Sequence, residues 1–183
     1  MEIWDVYDID RIKTGKTVCR GDTMAPGEYH LVVGAAVFNS EGKLLIQKRS
    51  AEKDDRPNLW DITVGGSGIQ GENSRTAIER EIREELGIII DMTGKRPALT
   101  LNFSPGFYDF YIIREDIDLA KLAFQKEEVC DAKYATEEEV LELLRNEEFS
   151  PNFLNFIGLL FEIKDVIAVN GVLRGYVGCD ENI

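Results

Sequence analysis

The segment that most constrains this chain runs from Gly66 to Ile88, GSGIQGENSRTAIEREIREELGI, and carries Glu72, Glu81, Glu84 and Glu85 at fixed intervals. Its pattern predicts a helix from about residue 74 to residue 86. At about 100° per residue, with Glu81 as zero, Glu85 lies near +40° and Glu84 near −60°. Three carboxylates then share an arc of roughly 100°. Ile78, Ile82 and Leu86 follow the i, i+4, i+8 row and form an adjoining apolar stripe. One face of such a helix can dock into a core while the other presents oxygen ligands. Like charges one turn apart repel, so a divalent cation is the natural neutraliser. Hard oxygen donors suit Mg²⁺ or Mn²⁺. A solvated helix laced with Glu–Arg pairs is the other reading, but it leaves Gly65, Gly66 and Gly87 at the two ends unexplained.

The same residues carry a resemblance. The spacing G-x5-E-x7-R-E-U-x-E-E-x-G-U, with U aliphatic, is the signature of the Nudix hydrolases. This chain is similar to it at every fixed position: Gly66, Glu72, Arg80-Glu81-Ile82, Glu84-Glu85, Gly87 and Ile88. Weaker similarity, through WDVYD, GEYHLVV and QKEEV, extends from about residue 1 to residue 165. It resembles a bacterial subgroup related to isopentenyl-diphosphate isomerases. The resemblance implies an α/β Nudix fold, a mixed sheet sandwiched between helices, and hydrolysis of a diphosphate bond.

By that resemblance Glu81, Glu84 and Glu85 are the expected metal ligands, with Glu81 alternatively the base that activates water. The carbonyl of Gly65 is a further candidate ligand. Arg80, one turn before Glu84, is expected to orient the carboxylates. Glu72 is expected to brace the junction between loop and helix. Members of the family often add an acidic group from another loop. Glu127 and Glu128 are the candidates here, with Asp131 behind them, and solvated loop charge is the competing reading. Lys48, Arg49 and Arg56 precede the motif and are candidates for meeting terminal phosphates, although ordinary surface is the commoner fate of such residues. Tyr29, Phe107, Tyr108 and Phe110 are readable as base-stacking groups or as core. Gly68 is readable as a plain turn residue.

Net charge excludes one partner class. At −13 the chain lacks the basic surface that long nucleic acids require, whereas a small phosphate compound arriving with its own cation is compatible. No apolar run approaches a membrane span, and the start MEIWDVYDID lacks a signal-peptide layout. Cys19, Cys130 and Cys179 show neither metal spacing nor a disulfide framework. A cytoplasmic enzyme is the expectation; a homodimer is left open.

At 183 residues the chain fits a single domain: an N-terminal extension over 1–28, a core over 29–165 and a tail over 166–183. Turn residues suggest that the extension is a short hairpin packed on the domain. LVVGAAVF and KLLIQKR, joined by the turn Asn39–Gly42, read as an antiparallel strand pair. Residues 50–59 read as a loop and Trp60–Val64 as a short strand. Further strands are expected near 88–92, 98–103 and 107–113, and weaker ones at 120–124 and 133–135. Thr136-Glu-Glu-Glu has the form of a capping box opening a helix through Arg145. A last helix is expected after Pro151, with Phe153, Leu154, Phe156, Ile157, Leu160 and Phe161 as its apolar face.

Two other functions compete with hydrolysis. The isomerases place a cysteine after the strand matching Trp60–Val64 and hold a metal with several histidines. This chain has Gly65 there and one histidine, His30, read as a structural residue at a strand start or as a substrate contact. A non-catalytic binding module is the other alternative, but such modules lose glutamates from the helix and this chain keeps them.

Overall fold

A computed structural model describes residues 1–150 and 155–167. Strand β3 (His30–Phe38) runs down the middle of a seven-stranded mixed sheet. Its apolar run alternates: Val33, Ala35 and Val37 enter one buried cluster while Ala36 and Phe38 enter another on the opposite face. Strand β8 (Gly106–Arg114) pairs with it in parallel along its full length, from His30↔Gly106 to Phe38↔Arg114. Strand β7 (Leu99–Phe103) follows as the antiparallel edge.

The strand pair expected from LVVGAAVF and KLLIQKR forms only at its turn. Strand β4 (Leu44–Arg49) meets β3 at Phe38↔Leu44 and then leaves it. From there β4 pairs with β9 (Val129–Ala135) and with β5 (Trp60–Asp61). The vacated edge of β3 is taken by β6 (Val64–Ser67), in the register Val32↔Ser67 to Ala35↔Val64. What reads as one strand over Trp60–Val64 is therefore two. Thr63 sits at the crossing: its hydroxyl donates to the Leu45 carbonyl and accepts from the Val37 N–H at 2.9 Å. One buried side chain thus supplies the bonds that the splayed strands cannot make to each other.

Helix α1 (Ser74–Leu86) covers one face of the sheet, burying Ile78, Ile82 and Leu86 against Val33, Val37, Leu45 and Tyr111. Helices α2 (Glu137–Arg145) and α3 (Phe156–Ile167) cover the other face, where Val140, Ile157 and Leu160 meet Phe38, Ile46 and Phe110. The architecture is the expected α/β/α sandwich. Thr136 and Glu139 close the anticipated capping box of α2. Asn73 caps α1, and Gly87 ends it at φ 69°, in the left-handed region. A β-carbon on Gly87 would also lie 2.6 Å from Ala123, so the position excludes other residues twice over.

Strands β1 (Ile3–Tyr7) and β2 (Lys13–Cys19) form the expected N-terminal hairpin, tied to the domain by the Tyr7↔Tyr29 bridge. Two expected strands do not form. Residues 88–92 are a loop in which Ile90 and Met92 are buried and Ile89 is exposed. Its Met92 N–H binds the Glu79 carboxylate rather than a strand. Around 120–124 the chain makes a short 3₁₀ turn (Leu119–Lys121), and Ala123 N–H then satisfies the free carbonyl of Leu86 at the end of α1. Pro151, Phe153, Leu154 and the segment 168–183 lie outside the described residues. None of the described helices is long and apolar enough to cross a membrane.

Candidate active site

Because α1 is anchored by its apolar stripe, the adjoining carboxylate stripe is aimed at β6 and at two loops. Arg80 organises it. Its Nε and Nη2 donate to both oxygens of Glu72, at 2.8 and 3.1 Å. Its Nη1 donates to Glu81 Oε1 at 2.9 Å and to Glu84 Oε2 at 3.0 Å. Nη2 also reaches the Ser67 carbonyl at 2.8 Å. The anticipated i, i+4 contact with Glu84 is therefore one spoke of a larger fork. Glu72, braced by Arg80, accepts from Ile69 N–H at 3.0 Å and holds the loop that leads into α1.

Glu81 lies against the backbone of β6. A β-carbon built on Gly66 would stand 2.1 Å from Glu81 Oε1, so the glycine is required for the carboxylate to rest there. A β-carbon on Gly68 would press on Leu31 at 2.9 Å, a packing reason beyond a plain turn. Gly65 pairs with Gly34 in the β3–β6 ladder and is exposed.

Glu85 is buried and accepts from Gln47 Nε2 at 2.8 Å. Burial first, and then the negative charge of Glu81, push its carboxyl well above the ordinary range. Burial also raises Glu81, against the pull of Arg80. The turn before β9 docks at this end of α1: Gln125 N–H reaches the Glu85 carbonyl at 3.3 Å and Ser50 N–H the Glu128 carbonyl at 2.8 Å. Glu128 is thereby held near Glu85 and forms an ion pair with Lys53 of the 50–58 loop. Glu127 and Asp131 are exposed.

The acceptor atoms share a pattern. Glu81 uses Oε1, Glu84 uses Oε2, Glu85 uses Oε2 and Glu128 uses Oε2. In each, the second oxygen has no hydrogen-bond donor among the described residues. Gln47 Oε1 is likewise buried without a partner. No three metal-binding side chains among the described residues converge on one point, since Arg80 draws Glu81 and Glu84 to itself while Glu85 turns to Gln47. Free carboxylate oxygens on buried Glu85, half-buried Glu81 and Glu128 and exposed Glu84 fit a hard divalent cation in chemistry and in charge.

The basic candidates have other work. Arg49 gives Nε to the carbonyls of Asp55 and Arg56, gives Nη2 to Asp55, and has Nη1 at 3.6 Å from Asp61. It pins the 50–58 loop. Arg56 binds Ser150 Oγ at 2.6 Å and pairs with Asp55. Lys48 has no ion pair among the described residues and sits 5.8 Å above the Trp60 ring. Phe107 and Phe110 are buried core, Tyr29 packs at the edge of the α1-side cluster, and the Tyr108 ring fills the space above Gly34. His30 is buried, stacked on Trp4 at 4.4 Å. The motif pattern does not reach Gln47 or Lys53. Gln47 had a signal, being the one polar residue at an inward position of LLIQKR, two along from buried Leu45. Lys53 had none.

Comparison with known proteins matches residues 28–155 to the NUDIX domain. The chain is 45% identical over 170 residues, 93% of it and 99% of the relative, to an uncharacterized Nudix hydrolase of Listeria monocytogenes. It is similar to the crystal structure of DR0079 from Deinococcus radiodurans, with TM-score 0.68 and 25% identity over 88% of this chain and 98% of that one. Similarity to an isopentenyl-diphosphate Delta-isomerase of Salmonella heidelberg is 41% but spans 69 residues, 37% of this chain and 38% of that protein.

Proposed function

This chain belongs to the Nudix hydrolase family, whose members act on pyrophosphate bonds, and from that membership we propose that it is a Mg²⁺- or Mn²⁺-dependent enzyme. Its substrate is a nucleoside diphosphate linked to another moiety, or a related organic diphosphate. The observation that carries this reading is the set of unengaged oxygens on Glu81, Glu84, Glu85 and Glu128 around one end of α1. Those residues, with the Gly65 carbonyl, would hold the cation. When bound, it supplies charge neutralisation for the phosphate oxygens and a lowered pKa for water.

The chain's own residues do the rest. Arg80 keeps Glu81 and Glu84 oriented and takes no part in substrate contact, since its donors are spent inside the fold. Glu81 has only Oε2 free of Arg80, and that oxygen either holds the cation or accepts the proton of the attacking water. The hydrogen bond from Gln47 Nε2 fixes Oε2 of the buried Glu85 carboxyl and leaves Oε1 for the cation. Lys48, without an anionic partner, is the phosphate contact of the three basic candidates. Isomerase chemistry is not favoured: His30, the one histidine, is buried and stacked on Trp4, and the isomerase likeness covers little more than a third of the chain.

The test is phosphorus NMR on a panel of nucleotide sugars, ADP-ribose, NADH, dinucleoside polyphosphates, nucleoside triphosphates, coenzyme A and isopentenyl diphosphate. Each is incubated with Mg²⁺, with Mn²⁺ and with EDTA. Metal-dependent appearance of phosphomonoesters from one class supports the reading. Turnover undiminished by EDTA contradicts it.

A further inference from the structure

Four cations from three separate segments meet at the end of α1 remote from Glu85. We propose that Arg11, Arg75, Lys95 and Arg96 form a binding site for a small phosphate-bearing anion, distinct from the glutamate site. This site goes beyond the hydrolase reading and does not rest on it.

The four residues line an open surface groove of about 630 Å³ together with Ser74 and Tyr111, whose hydroxyls bond each other at 2.8 Å. That volume falls in the range of pockets for small organic ligands and exceeds what a lone phosphate fills. In this chain acidic residues outnumber basic ones, 34 to 21, yet the lining is cationic. Its one acid, Asp109, is 2% exposed and already engaged, by Arg11 Nη2 at 2.7 Å and Thr100 Oγ1 at 2.7 Å. Arg75, Lys95 and Arg96 have no ion pair among the described residues. All three are exposed, so solvent screens much of their mutual repulsion, and a bound anion relieves what remains.

Arg11 is held for the purpose. It is fixed from below by Asp109 and its guanidinium lies 4.3 Å from the Phe107 ring centroid. Its Nε is not used within the described fold, which leaves a donor for a ligand. The helix N-terminus is not the receptor, because the Asn73 side chain already accepts from Arg75 and Thr76 N–H. Nor does the groove belong to the glutamate site. Residues 74 and 85 are separated by about 16 Å of helix rise, and Asp109 and Thr100 lie on the β7–β8 edge, whereas Gln47 and Glu128 lie by β4 and β9.

The test uses inorganic pyrophosphate as probe and calorimetry in EDTA, where the glutamate cluster repels the anion. Wild type and Glu85→Gln should bind alike. Lys95→Glu/Arg96→Glu should weaken binding by about tenfold or more, and Arg75→Gln, from a different segment, should weaken it as well. The control Lys121→Glu/Arg145→Glu makes the same change in net charge elsewhere and should bind as wild type does. No binding by wild type overturns the proposal, and so does equal weakening by the control pair. Hydrolysis is not the readout, so failure here and failure of the hydrolase reading are separable.

Discussion

A β-carbon on Gly66 would come within 2.1 Å of Glu81 Oε1. The opening glycine of the motif and its first helical glutamate are thus one device, although fifteen positions separate them. Strand β6 can pass under α1 only if it presents bare backbone where the carboxylate lies.

Gly66→Ala should therefore separate fold from activity. The atom in the way is the end of a flexible side chain, so the protein should still fold, with its melting temperature lowered by a few degrees at most. Displacing Glu81 should cost about 100-fold in kcat/KM. Calorimetry and steady-state kinetics on the same preparation check this. Full activity in the Gly66→Ala variant would show that Glu81 need not rest on β6.

Arg80 is 14% exposed and serves Glu72, Glu81 and Glu84 together. Arg80→Ala leaves two largely buried carboxylates, Glu72 and Glu81, without a counter-charge, at a cost of about 3 kcal/mol. Arg80→Lys should recover little of it, because an ammonium cannot fork across three acids. Urea denaturation of the two variants measures both effects.

Stability without metal should depend on pH through Glu85. Its folded carboxyl binds a proton more tightly than the ordinary glutamate, whose value is 4.5. The native state therefore holds a proton that the unfolded chain has released, and stability falls as pH rises from 4.5 through the raised value. Glu85→Gln removes this loss. In EDTA its melting temperature, relative to wild type, should climb across that window, and a constant difference would contradict the assignment.

Much of this was legible because helical periodicity is local. The 3.6-residue repeat placed α1, its buried stripe and its carboxylate stripe, and the capping box at Thr136 marked the start of α2. What escaped was long-range. Residues 88–92 have strand-like composition, but no sheet edge receives them, so they lie as a loop over the α1-side core. The splay between β3 and β4 depends on β6 wedging in, which no pattern within LVVGAAVF or KLLIQKR announces. Arg49 and Arg56 look like phosphate binders until the 50–58 loop folds back and claims them. Lys53 meets Glu128 across 75 residues, a relation that exists only once β4 and β9 are paired.

Whether the α1 glutamates hold the cation on which diphosphate hydrolysis depends is the central question. The most direct measurement is the rate of Mg²⁺-dependent cleavage of the substrate found by the panel, by wild type, Glu84→Gln and Glu85→Gln, each first shown to be folded. Metal ligation by these residues predicts a loss on the order of 10³-fold or more in both variants, with melting temperatures equal to or above wild type as like-charge repulsion is relieved. Near-full turnover by either variant would contradict it.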